Sequence, residues 1–273
     1  MRLEIIFKHD KLDLPIHYNE IVQGFIYNHI SEELAKWLHD EGFAYEKRNF
    51  KLFTFSRIMG QFNIDRKDNA IRFTPPSKLI VSSPIERFTQ ELANEILKCL
   101  VRWPHPDDSE TQIRIGRAQG TNISNTLKLG SNEVYLEQLN IESSPDFPEA
   151  MEIRMLSPVT VYSTLRKADG TPKTYYYSPF ESEFSELLEQ NLKKKAAILV
   201  GEDKVDKYSF TIEPTRVRNN DQKILTYKGF VIKCWMGEYK IKGSPELHRI
   251  AYETGLGSKN SQGFGCFEIK PKE

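Results

Sequence analysis

Residues 255–269 read GLGSKNSQGFGCFEI, and the order of elements around this stretch decides between fold classes. The stretch contains four glycines, one lysine and several polar residues. It follows a predicted helix over 244–254 and runs into a final predicted strand over 264–269. In P-loop and dinucleotide-binding folds, the glycine-rich turn instead follows a strand and opens a helix. The stretch therefore disfavours a nucleotide cofactor. It indicates a loop whose main-chain N–H groups can approach phosphate oxygens.

The residues upstream of this loop predict alternating strands and helices. A strand over 152–162 is interrupted at Pro158, which cannot donate to a strand ladder. Apolar spacing then predicts a helix over 178–195, followed by β-rich segments over 208–217 and 223–240. The closing helix and strand complete the second half of the chain.

The first half of the chain shows the same order of elements. It begins with a strand over 2–8, a helix from Tyr18, and a second helix that starts after Ser31 and stops at Gly42. The later segments are extended chain over 43–59, a strand within 70–81, a helix over 84–101 and a strand over 112–115. Strand, helix, strand, strand, helix, strand is the ferredoxin-like order. We predict an α+β fold with tandem ferredoxin-like (RRM-like) βαββαβ domains over 1–125 and 126–273.

The composition limits the classes of partner. The chain has 273 residues, 38 Lys and Arg against 38 Asp and Glu, and 39% hydrophobic residues, so it can bury a core. A neutral chain needs a local basic patch to bind a polyanion. No window approaches the about 20 apolar residues of a membrane span. The three cysteines are far apart without zinc-ligand spacing. We expect a reduced, cytoplasmic protein with no membrane partner, no metal site and no cofactor.

The glycine-rich stretch also carries a family resemblance. Its GxGxxxxxGFG pattern and closing strand resemble the signature of Cas6, a family of repeat-associated RNA-binding proteins of CRISPR systems. Residues 23–28 (QGFIYN) resemble the first-helix pattern of that family, and residues 49–56 (NFKLFTFS) resemble the strand that follows. Residues 156–161 (LSPVTV) resemble the strand that opens its second domain. The matches span nearly the whole chain.

This resemblance implies an endoribonuclease that cuts CRISPR precursor RNA within its repeats. The expected chemistry is attack by the neighbouring 2′-OH, without a metal ion, leaving a 2′,3′-cyclic phosphate and a 5′-OH. Repeat RNA is the implied partner. Association with Cascade-like Cas proteins and a homodimer both stay open.

Three residues match catalytic positions of the family. His39 matches the catalytic histidine, and an imidazole exchanges a proton near neutral pH. Tyr27 matches a tyrosine that orients or deprotonates the 2′-OH, and Lys51 matches a lysine that supports the phosphate. Each residue also has a simpler interpretation. His39 would interact favourably with the helix dipole, and Tyr27 would pack its ring between helix and sheet. Lys51 would be an ordinary solvated lysine, with Lys47 and Arg48 close enough to take its place. His29 is a second candidate for the acid role.

RNA affinity is expected from the loop and from local positive charge. Arg216 and Arg218 share one face of a predicted strand. The three lysines at 193–195 are predicted to lie on a solvated face of their helix, where glutamates of the same helix offset their charge. The candidate RNA-binding residues are Gly255, Gly257, Ser258, Lys259, Asn260, Gly263, Gly265, Arg216 and Arg218.

Two other functions compete with cleavage. A member of the same superfamily without catalysis would hold repeat RNA for a larger effector complex. An RRM-like protein would stack bases on sheet aromatics, for which the tyrosines at 175–177 are candidates. Because these tyrosines precede a predicted helix, they are expected in a loop or in packing.

Overall fold

The computed structural model describes residues 1–98 and 126–271. The predicted strand over 112–115, Cys99 and the end of the helix predicted to reach residue 101 lie outside the described residues. The N-terminal elements are β1 (Arg2–Lys8), β2 (Leu12–Pro15), α1 (Asn19–Asn28), α2 (Glu32–Asp40), β3 (Phe43–Tyr45), β4 (Arg48–Phe50), β5 (Thr54–Phe55), β6 (Met59–Asp65), β7 (Ala70–Ser82), α3 (Glu86–Leu97), β8 (Leu127–Leu129) and β9 (Asn132–Glu142).

The first sheet has the ferredoxin-like strand order. Antiparallel β9, β1 and β7 lie side by side, and β2, β5 and β6 pair with the other parts of β7. β9 lies after the expected domain boundary at 125/126, yet its residues 135–142 pair with the whole of β1. By sheet membership, the division therefore falls between Glu142 and Ala150. The sequence predicts an earlier boundary because the predicted strand over 112–115 completes the ferredoxin-like order, and a sheet partner cannot be read from local pattern.

The helices of this half follow their sequence signals. The Ser31 hydroxyl accepts a hydrogen bond from the N–H of Leu34 (3.3 Å), which caps α2 as predicted. Gly42 ends the helix with a φ of 65°. Apolar residues of α1, α2 and α3, such as Phe25, Leu38 and Phe88, share one buried cluster with those of β1 and β7. This packing places the end of α2 beside the segment that leads into β5.

The C-terminal half repeats the order around a four-stranded sheet. Its elements are β10 (Ala150–Met155), β11 (Tyr162–Arg166), β12 (Pro172–Tyr176), α4 (Ser182–Val200), β13 (Phe210–Arg216), β14 (Gln222–Tyr227), β15 (Phe230–Trp235), β16 (Glu238–Gly243), α5 (Pro245–Thr254) and β17 (Phe267–Ile269). The strand order β13, β16, β10, β17 is again ferredoxin-like, so the predicted tandem fold is confirmed. The helix predicted over 178–195 begins and ends later.

Two hairpins extend from this second sheet. One consists of β11 and β12, and the other of β14 and β15. The hairpins place Tyr175 and Tyr176 in strand β12 rather than in the loop that the sequence predicts. The predicted strand over 152–162 ends at Met155, and only an isolated bridge between Val159 and Trp235 continues it. Pro158 accounts for this interruption.

The two halves are joined by buried polar and apolar contacts. The Arg2 guanidinium is 3% exposed and donates a 2.6 Å hydrogen bond to the carbonyl of Phe267. It also stacks over the ring of Tyr252 at 3.8 Å. Ile80, Leu156 and Cys266 form a small apolar cluster at the same junction. These contacts fix the C-terminal loop against the first sheet.

Candidate RNA-binding and cleavage site

A cleft of about 460 Å³ lies between the segment that follows β4 and the glycine-rich loop. Four of its lining residues are basic, namely Arg48, Lys51, Lys195 and Lys259, and none is acidic. Such a lining attracts anions and phosphate groups in particular. The complete lining consists of residues 48–53 and 257–262 together with Tyr162, Thr164, Asn191, Lys195 and Thr254.

The glycine-rich loop is held rigidly by close backbone packing. Gly265 has a φ of 82°, and a Cβ at this position would lie 2.0 Å from the carbonyl oxygen of Leu256. At Gly263, a Cβ would lie 2.5 Å from the ring of Phe55 in the first sheet. No L side chain fits at either position without displacing its neighbours. The glycines therefore let the loop pack between the two halves.

Hydrogen bonds to both halves complete this packing. Asn19, at the start of α1, donates to the carbonyls of Gln262 (2.8 Å) and Gly263 (3.1 Å). Thr54 donates to the carbonyl of Phe264 (3.0 Å). Within the loop, the Asn260 amide donates to the carbonyl oxygens of residues 256 and 264 at 2.9 and 3.0 Å. The loop thus presents a preorganised surface to the cleft.

The glycine-rich loop presents mainly side chains to the cleft, rather than a row of main-chain N–H groups. The N–H groups of six loop residues already donate to protein carbonyls, those of Gly255, Leu256, Ser258, Gln262, Gly263 and Gly265. They are not available to a ligand in this conformation. Of the predicted RNA-binding residues, the structure brings four to the cleft: Gly257, Ser258, Lys259 and Asn260. The ammonium of Lys259 lies 5.3 Å from the centre of the Tyr162 ring, and burial lowers its pKa.

Lys51 connects the cleft to the end of α2. Its Nζ donates a 2.9 Å hydrogen bond to the main-chain carbonyl of His39, where the negative end of the helix dipole favours a cation. Burial lowers the pKa of Lys51, and the charge of Asp40 opposes this shift. The stem of Lys51 packs against Gly42, where a Cβ would lie 3.0 Å from its Cδ.

His39 lies outside the cleft lining and is largely exposed. Its side chain is 74% accessible, and Nδ1 lies 2.8 Å from Oδ1 of Asp40. The hydrogen bond from His39 holds the pKa of the Asp40 carboxyl below its usual range. An ionised Asp40 accepts Nδ1–H, which fixes the ring orientation and directs Nε2 away from the carboxylate. The geometry suits exchange of one proton with a bound group.

Tyr27 packs behind the cleft wall. Its ring meets Phe53, which lines the cleft, at a centroid distance of 6.0 Å. Burial raises the pKa of Tyr27 to about 12. The hydroxyl therefore keeps its proton at neutral pH and is able to donate a hydrogen bond.

The remaining predicted residues lie elsewhere. His29 caps the end of α1, where Nδ1 lies 2.7 Å from the carbonyl of Phe25 and the two rings are 4.4 Å apart. Arg216 is exposed on β13 and lies 3.8 Å from Glu238, while Arg218 follows the strand. Neither arginine lines the cleft.

The lysine run at 193–195 divides into three environments. Lys193 pairs with Glu189 as the sequence indicates, and Lys194 pairs with Glu46 of the first half. Lys195 is buried and lines the cleft, so the solvated interpretation is wrong for this residue. Its position seven residues after the buried Leu188 already places it on the apolar face of α4.

A second groove continues from the cleft through the residues that both share, Tyr162 and Lys259. It has a volume of about 470 Å³ between the two hairpins. Its walls include the exposed Phe230 and Val231, which are 73% and 57% accessible. Its other lining residues are Thr174, Tyr176 and Lys233. Exposed rings beside lysines form a surface on which bases stack.

The described residues lack two other kinds of feature. In residues 1–98 and 126–271, no group of three or more His, Cys, Asp or Glu side chains is placed to hold a metal ion. No helix in the same ranges is both long and apolar enough to cross a membrane. Cys234 and Cys266 are buried free thiols, and burial raises the pKa of Cys234 to about 12.

Known proteins share this architecture. The family model described as CRISPR associated protein Cas6, C-terminal, matches residues 142–269. The CRISPR-associated endoribonuclease Cas6 1 of Methanocaldococcus jannaschii is 26% identical over 272 residues, which cover 97% of this chain and 91% of that protein. A solved structure of a CRISPR associated protein Cas6 is 25% identical, with a TM-score of 0.72 and coverage of 99% of each chain.

A second solved structure agrees in fold. It shows an RAMP protein binding different RNA substrates and is 21% identical, with a TM-score of 0.74 and coverage of 99% of this chain and 100% of that chain. This likeness shows that the two chains share the fold of tandem ferredoxin-like domains. The family model thus matches the C-terminal half of this chain, and the similarity to proteins named Cas6 extends over nearly its whole length.

Proposed function

We propose that this chain is an endoribonuclease that cleaves CRISPR precursor RNA within its repeats by attack of a ribose 2′-OH. The observation that carries the proposal is the basic cleft without acidic lining residues, joined through Lys51 to the His39–Asp40 pair. The name of the relative from Methanocaldococcus jannaschii supports the same activity. The reaction as proposed requires no metal ion, because the nucleophile belongs to the substrate.

His39 acts as the general acid in this proposal. The 2′-oxygen attacks phosphorus, the bond from phosphorus to the 5′-oxygen breaks, and Nε2–H of protonated His39 passes its proton to the leaving oxygen. The 2′-OH proton passes to solvent. Asp40 holds Nδ1 throughout, so the imidazole keeps one orientation. A positioned acid of this kind contributes about 10²–10⁴-fold to a rate.

Lys51 and Lys259 stabilise the phosphate from opposite walls of the cleft. Both are ammonium groups on elements that are fixed by packing, Lys51 against Gly42 and Lys259 within the glycine-rich loop. Charge that develops on the phosphoryl oxygens in the transition state is best stabilised by such preorganised cations. Tyr27 serves as a donor that orients the ribose, because its hydroxyl keeps its proton.

The flanking single strand follows the second groove in this proposal. Tyr162, Tyr176 and Phe230 offer ring faces, and Lys233 and Lys259 offer charge to the backbone. Stacking on aromatic side chains contributes about 1–3 kcal/mol per base and tolerates many sequences. The groove therefore gives affinity, while the cleft carries the chemistry.

The alternative is a protein that binds repeat RNA and does not cut it. The exposure of His39 favours this alternative, since a catalytic acid usually becomes shielded around its substrate. Binding by the basic cleft and aromatic groove would be the same in both cases. Only the fate of the RNA separates them.

The test uses the purified chain and the repeat RNA of its own CRISPR array. Binding is measured by fluorescence anisotropy, and cleavage by gel electrophoresis at one fixed salt concentration. A matched RNA carries 2′-deoxyribose at the mapped cut site. Cutting of the ribose substrate alone, with tight binding of both RNAs, supports the proposal. Tight binding without cutting of either RNA supports the alternative, and cutting of the deoxy RNA overturns the 2′-OH mechanism.

A further inference from the structure

Two polar side chains on α4 have hydrogen-bonding groups without partners at the floor of the cleft. Lys195 is 2% exposed, and its Nζ donates to the carbonyl of Gly255 and to Oδ1 of Asn260, both at 2.7 Å. An ammonium carries three donors. Within the described part of the chain, the third donor has no partner.

Asn191 lies one helical turn before Lys195 and lines the same cleft. Its side chain is 9% exposed, and Oδ1 is buried without a hydrogen-bond partner among the described residues. Buried polar atoms are nearly always paired in native proteins, and each unpaired one costs free energy. Asn191, a residue of the cleft lining, therefore has an unfilled hydrogen-bonding position.

The charge of Lys195 is also uncompensated. The other charged and titratable side chains lining the cleft are Arg48, Lys51, Tyr162 and Lys259, and no lining residue is a carboxylate. On the β3–β4 hairpin that packs near α4, Glu46 pairs with Lys194 instead. Burial lowers the pKa of Lys195 to about 7, and no neighbouring charge offsets this.

We propose that Lys195 and Asn191 form a buried subsite for one phosphate–ribose unit of the RNA. A phosphate oxygen accepts the third N–H of Lys195, and the ribose 2′-OH donates to Oδ1 of Asn191. Lys195 at the same time holds the glycine-rich loop through Gly255 and Asn260, so binding at the subsite and loop position are linked. This inference rests on the proposed function, because it requires that the cleft takes RNA.

Binding of RNA at this subsite should be accompanied by the uptake of a proton. A phosphate beside Lys195 favours its charged form, so the RNA-bound protein holds a proton that the free protein has largely lost above pH 7. Binding then takes up close to one proton at pH 8, and the affinity falls by at most about tenfold per pH unit from pH 7 upward. Ordinary histidines are already neutral at pH 8 and ordinary lysines are still charged. Because burial also lowers the pKa values of Lys51 and Lys259 in the same cleft, a variant of Lys195 is needed to assign the proton.

The experiment measures this proton directly. Titration calorimetry at pH 8 follows the binding of repeat RNA, made with 2′-deoxyribose at the cut site, in two zwitterionic or amine buffers of different ionisation enthalpy. The difference between the observed enthalpies gives the number of protons taken up. Lys195→Met is compared with Lys193→Met, a matched change on the exposed side of the same helix. Circular dichroism melting checks that each variant is folded.

The expected result is uptake of about half to one proton by the wild type and by Lys193→Met, and a loss of that uptake in Lys195→Met. Asn191→Leu is expected to weaken binding of all-ribose repeat RNA more than binding of the same sequence as DNA. RNA binding without proton uptake in the wild type, or unchanged uptake in folded Lys195→Met, would overturn the inference while leaving the proposed function intact. If Lys195→Met does not fold, the affinity of the wild type for repeat RNA is measured between pH 6 and 9 instead. An affinity that does not change with pH would contradict the proposed subsite. Failure of every variant to bind RNA would count against the proposed function itself.

Discussion

The ammonium of Lys51 and the main-chain carbonyl of His39 are joined by a hydrogen bond of 2.9 Å. This bond ties the lysine of the cleft wall to the last turn of the helix that carries the histidine. The residues that we propose as proton donor and as phosphate-binding charge, His39 and Lys51, are thereby held by one local structure. Removal of this hydrogen bond should therefore disturb the positions of both His39 and Lys51.

Lys51→Met should lower the cleavage rate by about 10²-fold, a typical cost of removing one preorganised stabiliser of transition-state charge. The Met side chain keeps the packing of the stem on Gly42 while it removes the charge and the hydrogen bond. Single-turnover cleavage assays measure the rate. Lys47→Met, an exposed neighbour in the β3–β4 turn, is the control and should cleave nearly as fast as the wild type. Equal losses in both variants would contradict the role of Lys51.

His39→Ala should reduce the single-turnover rate by about 10²–10⁴-fold with little change in RNA affinity, because a general acid acts in the transition state. His29→Ala should retain most of the rate, since His29 bonds to the carbonyl of Phe25 at the end of α1. The two variants share the same chemical change, which makes the comparison direct. A larger loss of rate in the His29 variant would transfer the acid role to that residue.

Tyr27→Phe should fold normally, because the ring that meets Phe53 is retained. We expect a rate about tenfold lower, from the loss of one hydrogen bond in the transition state. The pH profile between pH 6 and 9 should keep its shape, because burial keeps the pKa of Tyr27 at about 12. Loss of an alkaline or acidic limb in this variant would show that Tyr27 itself transfers a proton.

Gly265→Ala should destabilise the protein on the order of 3 kcal/mol or more, since the new Cβ would lie 2.0 Å from the carbonyl oxygen of Leu256. Gly170→Ala is the matched control, because Gly170 has a similar φ of 79° with open space around it. That change costs only the backbone strain, about 1–2 kcal/mol. Urea unfolding measures both variants. Equal destabilisation would show that the loop relaxes around the methyl group.

The free energy of unfolding should rise with pH between about pH 7 and 9 because of Lys195. Its pKa is about 7 in the folded protein and near 10.5 in the unfolded chain, so the unfolded chain binds more protons in this range. The slope reaches at most about 1.4 kcal/mol per pH unit.

Urea unfolding of Lys195→Met and Lys193→Met at pH 7, 8 and 9 isolates this contribution. The first variant should show a smaller slope than the wild type, and the second should match it. Histidines and thiols contribute equally in all three chains, so they cancel in the comparison. A common slope in all three would mean that Lys195 stays charged in the folded protein.

The local patterns of the sequence predicted the fold well where one face of an element is buried. The strand over 2–8 and the helix capped by Ser31 are where apolar spacing and capping chemistry place them. The domain boundary depends on which strand pairs with β1, and pairing over such a distance leaves no local signal. The same limit applies to Arg216, whose strand was recognised but whose distance from the cleft depends on the whole topology.

The candidate site was predictable to different extents. Lys51 and Lys259 lie in sequence motifs that resemble those of the family, and both line the cleft. The sequence predicts a solvated Lys195 because glutamates of the same helix balance the lysine run, although its helical position places it on the same face as Leu188. Its partners, Gly255 and Asn260, are distant in sequence and become visible only when the loop is folded.

The most direct test of the account is mass spectrometry of the RNA fragments after cleavage in excess EDTA. Attack by the 2′-OH should give a single cut within each repeat, with a 2′,3′-cyclic phosphate on the upstream fragment and a 5′-OH on the downstream one. Fragments ending in 3′-OH and 5′-phosphate, or cutting that ceases in EDTA and returns with a divalent cation, would contradict it.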